Sequence, residues 1–303
     1  MFLRLAERLT IALPSPEPQL TQAWEGLFLG GGEPEPTAVP DFQLDIATTT
    51  APLPLPPCPP LAHIPRPVYG GRTHHLTIYQ PTPTQYHLLF DEQALVRVDL
   101  ATGQAYGVLA DGALVANGRF LDLTLTSLGP FLRRRGLALV HGCVVAQGEE
   151  ALLLLGGVGS GKTTAALSLV LGGWHWVADD VVLLAEEEEG VVAWPLAARV
   201  GVRPSSGQWL ALPEQLPTIS AVGGVRLTQL AYTQLADAPT SRRQTLPRSI
   251  ALAHLSEASV DQWDAPTMAG QFALLERLCQ QARPFALALG RDVAELPRWW
   301  EQK

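Results

Sequence analysis

The sequence predicts an α/β chain in which a β-rich first part precedes a domain of alternating strands and helices. Three observations carry this prediction. From His74 to Asn117, five short segments of strand-like composition (HHLTIYQ, QYHLLFD, ALVRVDL, QAYGVLA and ALVANG) are separated by the turn signals QPTPTQ, ATGQ and ADGA, the pattern of an antiparallel meander. From Ala151 the apolar run ALLLL leads into GGVGSGKTT and then AALSLVLGG, which reads as strand, glycine-rich loop and helix in that order. A further strand, WHWVADD, closes on two adjacent acids, Asp179 and Asp180.

Composition narrows the function classes. The 303 residues suffice for about two domains, and 47% hydrophobic against 17% charged residues describes a chain that folds. A net charge of −8 argues against a nucleic-acid partner, whose binding relies on clustered Lys and Arg. Cys58, Cys143 and Cys279 are widely spaced, without a C-x-x-C pair, so neither a disulfide framework nor a zinc site is expected. Arg4, Glu7 and Arg8 interrupt the N-terminal apolar stretch, and no apolar run approaches the roughly 18 residues of a membrane span. No membrane association and a cytoplasmic location are the expectations.

Element by element, the first 70 residues mix short apolar stretches with proline, culminating in the proline-rich segment 51–67. Proline fixes φ and lacks the backbone donor, so this segment is expected as an extended arm, neither helix nor central strand. His74 and His75, adjacent on a strand, point to opposite faces and are expected as exposed or packed histidines. The β-rich module is set at residues 1–125 and the second domain at 126–303. LTSLGPFLRRRG reads as a short helix that admits Pro130 only near its first turn, with Arg133, Arg134 and Arg135 at its negative end and Gly136 as its cap. Two apolar strands follow, LALV and CVVAQ, with His141-Gly142 between them.

Past the acids, VVLLAEEEEGVVAWPL reads as two strands joined by an acidic turn from Glu186 to Gly190. LTQLAY and SIALAHL are expected as strands. Between them ADAPTSRRQTLPR is a polar loop whose Arg242, Arg243 and Arg248 either supply charge to a reacting phosphoryl group or lie in solvent. MAGQFALLERLCQQAR has the three- and four-residue apolar spacing of an amphipathic helix.

The glycine loop points to chemistry. Gly156, Gly161, Lys162 and Thr163 fit G-x-x-x-x-G-K-[ST], and placement between a strand and a helix is what a phosphate cradle needs. Backbone N–H groups from Gly156, Gly157, Val158, Gly159, Ser160, Gly161, Lys162, Thr163 and Thr164 would surround the phosphates. Lys162 would reach the β- and γ-phosphates, and the Thr163 hydroxyl would take magnesium. Of Asp179 and Asp180, at the carboxyl end of a strand, one would hold magnesium and the other would accept a proton from an attacking hydroxyl.

Leu139 to Leu184 resembles the catalytic core of the HPr kinase/phosphorylase superfamily: His-Gly before a strand, a phosphate loop, a helix ending near Gly-Trp, and Asp-Asp-Val-Val. Weaker echoes lie at Arg199 to Pro204 and in ARPFALALGRDVAELP. The resemblance implies a P-loop kinase core of the HPr kinase/PEP carboxykinase type behind the smaller β-rich module. It implies ATP and Mg²⁺, an Asp of the pair as base (Asp179 favoured), Asp180 and Thr163 at the metal, and His141 as an active-site residue. The second signature of true HPr kinases, a Glu followed by Arg-Gly-Leu-Gly, is missing after the Asp-Asp strand. The chain is therefore more similar to divergent HPr-kinase-related proteins linked to peptide-modification gene clusters. The expected reaction is transfer of the γ-phosphate to a Ser or Thr hydroxyl of a peptide or small protein selected by the N-terminal module. A small-molecule hydroxyl kinase and a non-catalytic nucleotide-dependent peptide-binding module are the alternatives. A homo-oligomer is compatible with each.

Overall fold

The structure is a computed structural model, described here for residues 1–28, 39–67, 73–110, 112–116, 119–196, 201–202, 210–211, 223–260 and 263–300. It is a mixed α/β chain with several sheets and few helices, divided into two compact units, Met1–Arg134 and Arg135–Lys303. The sequence sets the division near residue 125. The difference arises because the helix there runs unbroken to Arg134 and packs within the first unit.

The first unit is built on an eight-stranded sheet. Its strands are β1 (Phe2–Leu5), β2 (Leu9–Ala12), β3 (Phe42–Thr48), β4 (Pro60–Pro67), β5 (Thr73–Thr82), β6 (Gln85–Phe90), β7 (Ala94–Asp99) and β8 (Gln104–Leu109), in the order β1-β2-β3-β8-β7-β6-β5-β4. The expected meander is β5 to β8, each antiparallel to the next. ALVANG departs from expectation: Ala113–Ala116 is a helical turn, α2. The proline-rich arm supplies β4 at the sheet's edge, where prolines are tolerated because one side of the strand needs no donors.

Helices α1 (Pro18–Leu27) and α3 (Arg119–Arg134) belong to this unit. Pro18 opens α1, where its missing N–H costs nothing. Trp24 packs against Phe120 with tilted rings 5.2 Å apart and donates to Thr124 Oγ1 at 3.1 Å, and Phe131 meets Phe42 at 4.6 Å. Pro130 lies well inside α3, contrary to the expected first turn. Burial of most of the helix outweighs its roughly 3 kcal/mol penalty. Gly136, at φ +73°, ends the helix as expected.

The second unit holds a six-stranded and a four-stranded sheet. Its strands are β9 (Leu137–His141), β10 (Cys143–Gln147), β11 (Glu150–Leu155), β12 (His175–Ala178), β13 (Val181–Glu187), β14 (Gly190–Trp194), β15 (Gly201–Val202), β16 (Leu210–Ala211), β17 (Val225–Arg226), β18 (Gln229–Leu235), β19 (Arg242–Thr245) and β20 (Arg283–Leu289). The larger sheet runs β12-β10-β11-β18-β20-β19, the smaller β17-β14-β13-β9, and β15 pairs with β16. In the larger sheet β11, β18 and β20 are parallel. Helix α4 (Lys162–Leu171) and the C-terminal α7 (Leu296–Trp300) share one buried cluster with Leu152, Leu154, Ala231, Phe285 and Leu287. The opposite residues, Leu153, Leu155 and Leu230, join α5 (Arg248–Ala258) and α6 (Ala265–Gln281) and the inner side chains of the smaller sheet. Period-two alternation thus sends neighbouring residues of β11 into two different cores.

Two expectations change here. SIALAHL lies in α5, because Ala251 and Leu255, four residues apart, bury one helical face. ADAPTSRRQTLPR contains β19, paired with β20, and so is not simply a loop. The acidic hairpin stands as expected, Glu187 facing Gly190 across a two-residue turn. Of Arg199 to Pro204, only Gly201–Val202 falls among the described residues.

Candidate functional site

The site lies where two strands cross from one sheet to the other side by side. β9 pairs with β13 in the smaller sheet, and after Gly142 the chain enters the larger sheet as β10. β12 pairs with β10 in the larger sheet, and after Asp179-Asp180 the chain enters the smaller sheet as β13. The crossings are tied by Gly142 N–H donating to Asp180 C=O at 3.1 Å. A Cβ on Gly142 would lie 2.9 Å from Leu154 O, so the crossing admits only glycine without a shift. Asp180 sits at φ +65°, and Val181 N–H donates to Asp179 C=O at 2.8 Å across it. This three-residue turn with a positive central φ is a strained form, and such strain concentrates at functional positions.

β11 delivers the chain to the glycine loop. Gly156, Gly159 and Gly161 have φ of +144°, +77° and +93°. A Cβ on Gly156 would stand 2.5 Å from Ser160 Oγ, and one on Gly161 would stand 2.5 Å from a Leu289 methyl. Gly157 differs: it has no positive φ and nothing within 4 Å of a Cβ. Neither packing nor dihedral strain explains a glycine there. Helix α4 starts directly behind the loop, so the N–H groups of its first turn have no intrahelical acceptor.

Lys162 is buried and folds back on the loop, Nζ donating to Gly156 O at 2.8 Å and Gly157 O at 3.1 Å. Burial pulls its pKa below the usual lysine value, opposed by the nearby Cys143, Asp180 and Asp179. The two acids have different surroundings. Asp179 is 3% exposed; the Cys143 thiol donates to its Oδ1 at 2.6 Å and Thr163 Oγ1 donates to the same oxygen at 3.4 Å. Burial and Asp179 push the Cys143 pKa well up, keeping it a thiol donor. The Asp180 side chain is 63% exposed and pairs through Oδ1 with His141 Nδ1 at 3.2 Å. Desolvation raises the Asp180 pKa, but the His141 hydrogen bond and the charges of His141 and Lys162 outweigh it and leave it lowered.

The structure thus brings together Gly156 to Thr163, His141, Asp179 and Asp180. No protein-family model matches the chain, and no curated protein matches it. Among solved structures, the HPr(Ser) kinase/phosphatase from Coxiella burnetii is similar at 18% identity and a TM-score of 0.28, over 36% of this chain and 72% of that chain. The functional reading rests on the residues themselves.

Two arginines of the 237–248 segment, Arg243 and Arg248, make their contacts elsewhere, whereas Arg242 lies on β19 opposite Ala288, next to the Leu289 that borders Gly161. The Arg243 guanidinium lies 3.8 Å over the Phe285 ring and donates to Gln229 Oε1 at 3.4 Å. Gln229 opens β18, at the far end of the sheet from the loop. Arg248 donates to Gln280 O at 3.2 Å, and Arg242 is exposed.

Two residues escape sequence reasoning. Cys143 follows His141-Gly142 directly, and strand alternation alone would turn it toward α4. Thr233, on β18, contacts Ser160 Oγ at 3.1 Å and donates to Leu155 O at 2.9 Å, pinning the loop to its strand. No local signal marks it. Among the described residues, no group of three or more His, Cys, Asp and Glu could hold a metal ion, and no helix is long and apolar enough to cross a membrane.

Proposed function

We propose that the chain is an ATP-dependent kinase that transfers the γ-phosphate to a Ser or Thr hydroxyl of a peptide or small protein. The observation that carries this reading is the convergence, at one corner, of a glycine loop on a helix N-terminus, a buried lysine and two differently housed acids. The residues fit a nucleotide with magnesium. Gly157 leaves the loop's N–H groups approachable where nothing internal demands a glycine. The Lys162 ammonium is already held beside the loop, where phosphate oxygens would replace the carbonyls it now touches. Magnesium needs only one or two protein oxygens, because phosphates and water complete its shell. Bound there, the ion would neutralise charge on the phosphates.

Within this reading, Thr163 and Asp179 hold the metal and Asp180 is the base. What supports the assignment is reach. Asp179 is buried and shares its oxygen with Thr163, whereas Asp180 is exposed to an incoming hydroxyl and oriented by His141. This exchanges the roles that the resemblance implies for the two acids. The lowered pKa keeps Asp180 ionised and thus able to accept the acceptor's hydrogen bond, and a loose phosphoryl-transfer transition state asks mainly for a positioned acceptor of the proton. Lys162 and the loop hold the phosphates, while the Cys143 thiol fixes the Asp179 carboxylate. The test is incubation with γ-labelled ATP and Mg²⁺ against a serine- and threonine-containing peptide mixture, free hydroxyl metabolites, and buffer alone. Label on peptide is expected; label confined to metabolites would make it a small-molecule kinase, and ATP binding without transfer a binding module.

A further inference from the structure

The solvent face of the first unit's sheet carries a concavity of about 540 Å³. Strand register aligns its side chains in rows. His87 faces Arg97, Arg97 faces Tyr106, and Tyr106 faces Asp45 across four neighbouring strands. In the adjoining row Asp99 faces Gln104. Two acids, Asp45 and Asp99, line the same concavity, and their oxygens accept hydrogen bonds from neutral donors within the sheet. Asp45 Oδ2 accepts from Gln43 Nε2 at 2.7 Å; Asp99 accepts from Gln85 Nε2 at 3.0 Å and from the backbone N–H of Ala101 at 2.9 Å.

Arg97 is the exception. Its guanidinium is exposed and has no hydrogen-bond or ion-pair partner among the described residues. Beside it, the His87 Nδ1 is buried without a hydrogen-bond partner. Burial, and then the charge of Arg97, hold the imidazole below its usual pKa, so Arg97 supplies the positive charge of the row. Tyr106, 52% exposed, adds an aromatic wall. A guanidinium flanked by an imidazole and a phenol, in a concave polar face, has the donors for a planar two-oxygen anion. The sheet's β4 edge is a poorer site for an added strand, since Pro60, Pro65 and Pro67 remove donors from it.

We propose that this face binds a carboxylate-bearing segment of the acceptor peptide, anchored on Arg97, an inference that rests on the reading of the chain as a peptide kinase. The carboxylate accepts from the Arg97 guanidinium, the peptide chain lies across the rows, and Gln104 offers its amide to the peptide backbone.

The experiment uses the full chain against an array of acetylated, amidated pentapeptides with a central Ser and one Glu or Asp, beside twins carrying Gln or Asn. A third set lacks acidic side chains but has a free C-terminus. Wild type is expected to retain acidic peptides and to bind their amide twins about tenfold more weakly or worse, and Arg97→Gln is expected to lose the same about tenfold. Preference for the third set over the first would assign the carboxylate to the peptide terminus. Equal binding of acidic and amide twins, unchanged binding by Arg97→Gln at an unchanged melting temperature, or no binding in any set would overturn the proposal. Lys162→Ala keeps the two questions apart: it should lower transfer about 10²–10³-fold yet bind the array as wild type does. Arg97-dependent binding without label transfer in wild type would sink the kinase reading and leave this site standing.

Discussion

At the sheet-crossing corner of the second unit, Lys162 donates to the loop, Cys143 and Thr163 converge on Asp179, and His141 holds Asp180. On the open sheet face of the first unit, Arg97 stands without a partner among the described residues. Under the proposed function, the contrast separates two tasks. Phosphoryl transfer gains from dipoles and charges fixed before the substrate arrives, because no reorganisation is then needed as charge develops. Recognition of an acceptor gains from a group whose hydrogen bonds are still to be made, since a ligand that satisfies them adds affinity that the protein alone does not have. Glycines sharpen the same difference: Gly142 and Gly156 are required by close backbone neighbours and Gly161 by its positive φ, whereas Gly157 is not.

The comparison breaks if the corner can be loosened without loss. Lys162→Ala should lower transfer by about 10²–10³-fold, because one fixed cation aimed at the phosphates is gone; steady-state turnover and ATP titration check it. Wild-type turnover would remove the loop from the chemistry. Gly142→Ala pushes a methyl against Leu154 O and should destabilise the second unit by about 1–3 kcal/mol, read from urea unfolding. No change in midpoint would show the crossing to be plastic.

How much of this was legible follows from distance along the chain. The loop was legible because its residues are contiguous and their spacing is set by the backbone's fit to phosphate. Asp179 and Asp180 were visible as a pair, but their different housings were not: those depend on which strand faces which after the crossing, Val144 opposite Ala178 and Val181 opposite His141. Thr233 is 73 residues from Ser160, and nothing local announces their contact. In the first unit β1 and β2 are four residues each, too short to show a period, and they depend on neighbours for their identity. SIALAHL read as a strand because a short apolar run suits either element; its burial at Ala251 and Leu255 decides for helix.

Smaller effects test the supporting residues. Thr233→Val keeps the shape and removes the hydroxyl that joins Ser160 to Leu155, which should cost about 1 kcal/mol and weaken ATP binding about fivefold. Unchanged affinity would mean the loop holds itself. The pH dependence is subtler. Asp180 is lowered in the folded chain, so its ionisation is complete above the ordinary carboxyl range. Its contribution to stability, and its capacity to act as a base, are present there and lost only as pH falls through its lowered value. His141→Ala removes the partner and the charge that lower it, and the acid limb of the turnover profile should move to higher pH. A limb that stays in place would disconnect His141 from Asp180.

The division of labour between the acids is tested most directly by single-turnover transfer from labelled ATP in Asp179→Asn and Asp180→Asn, each across a magnesium titration. The account predicts that Asp179→Asn recovers toward wild type as magnesium rises. Asp180→Asn should stay about 10²–10⁴-fold slow at saturating magnesium while binding ATP normally. The reverse pattern, or wild-type rates in both, would contradict it.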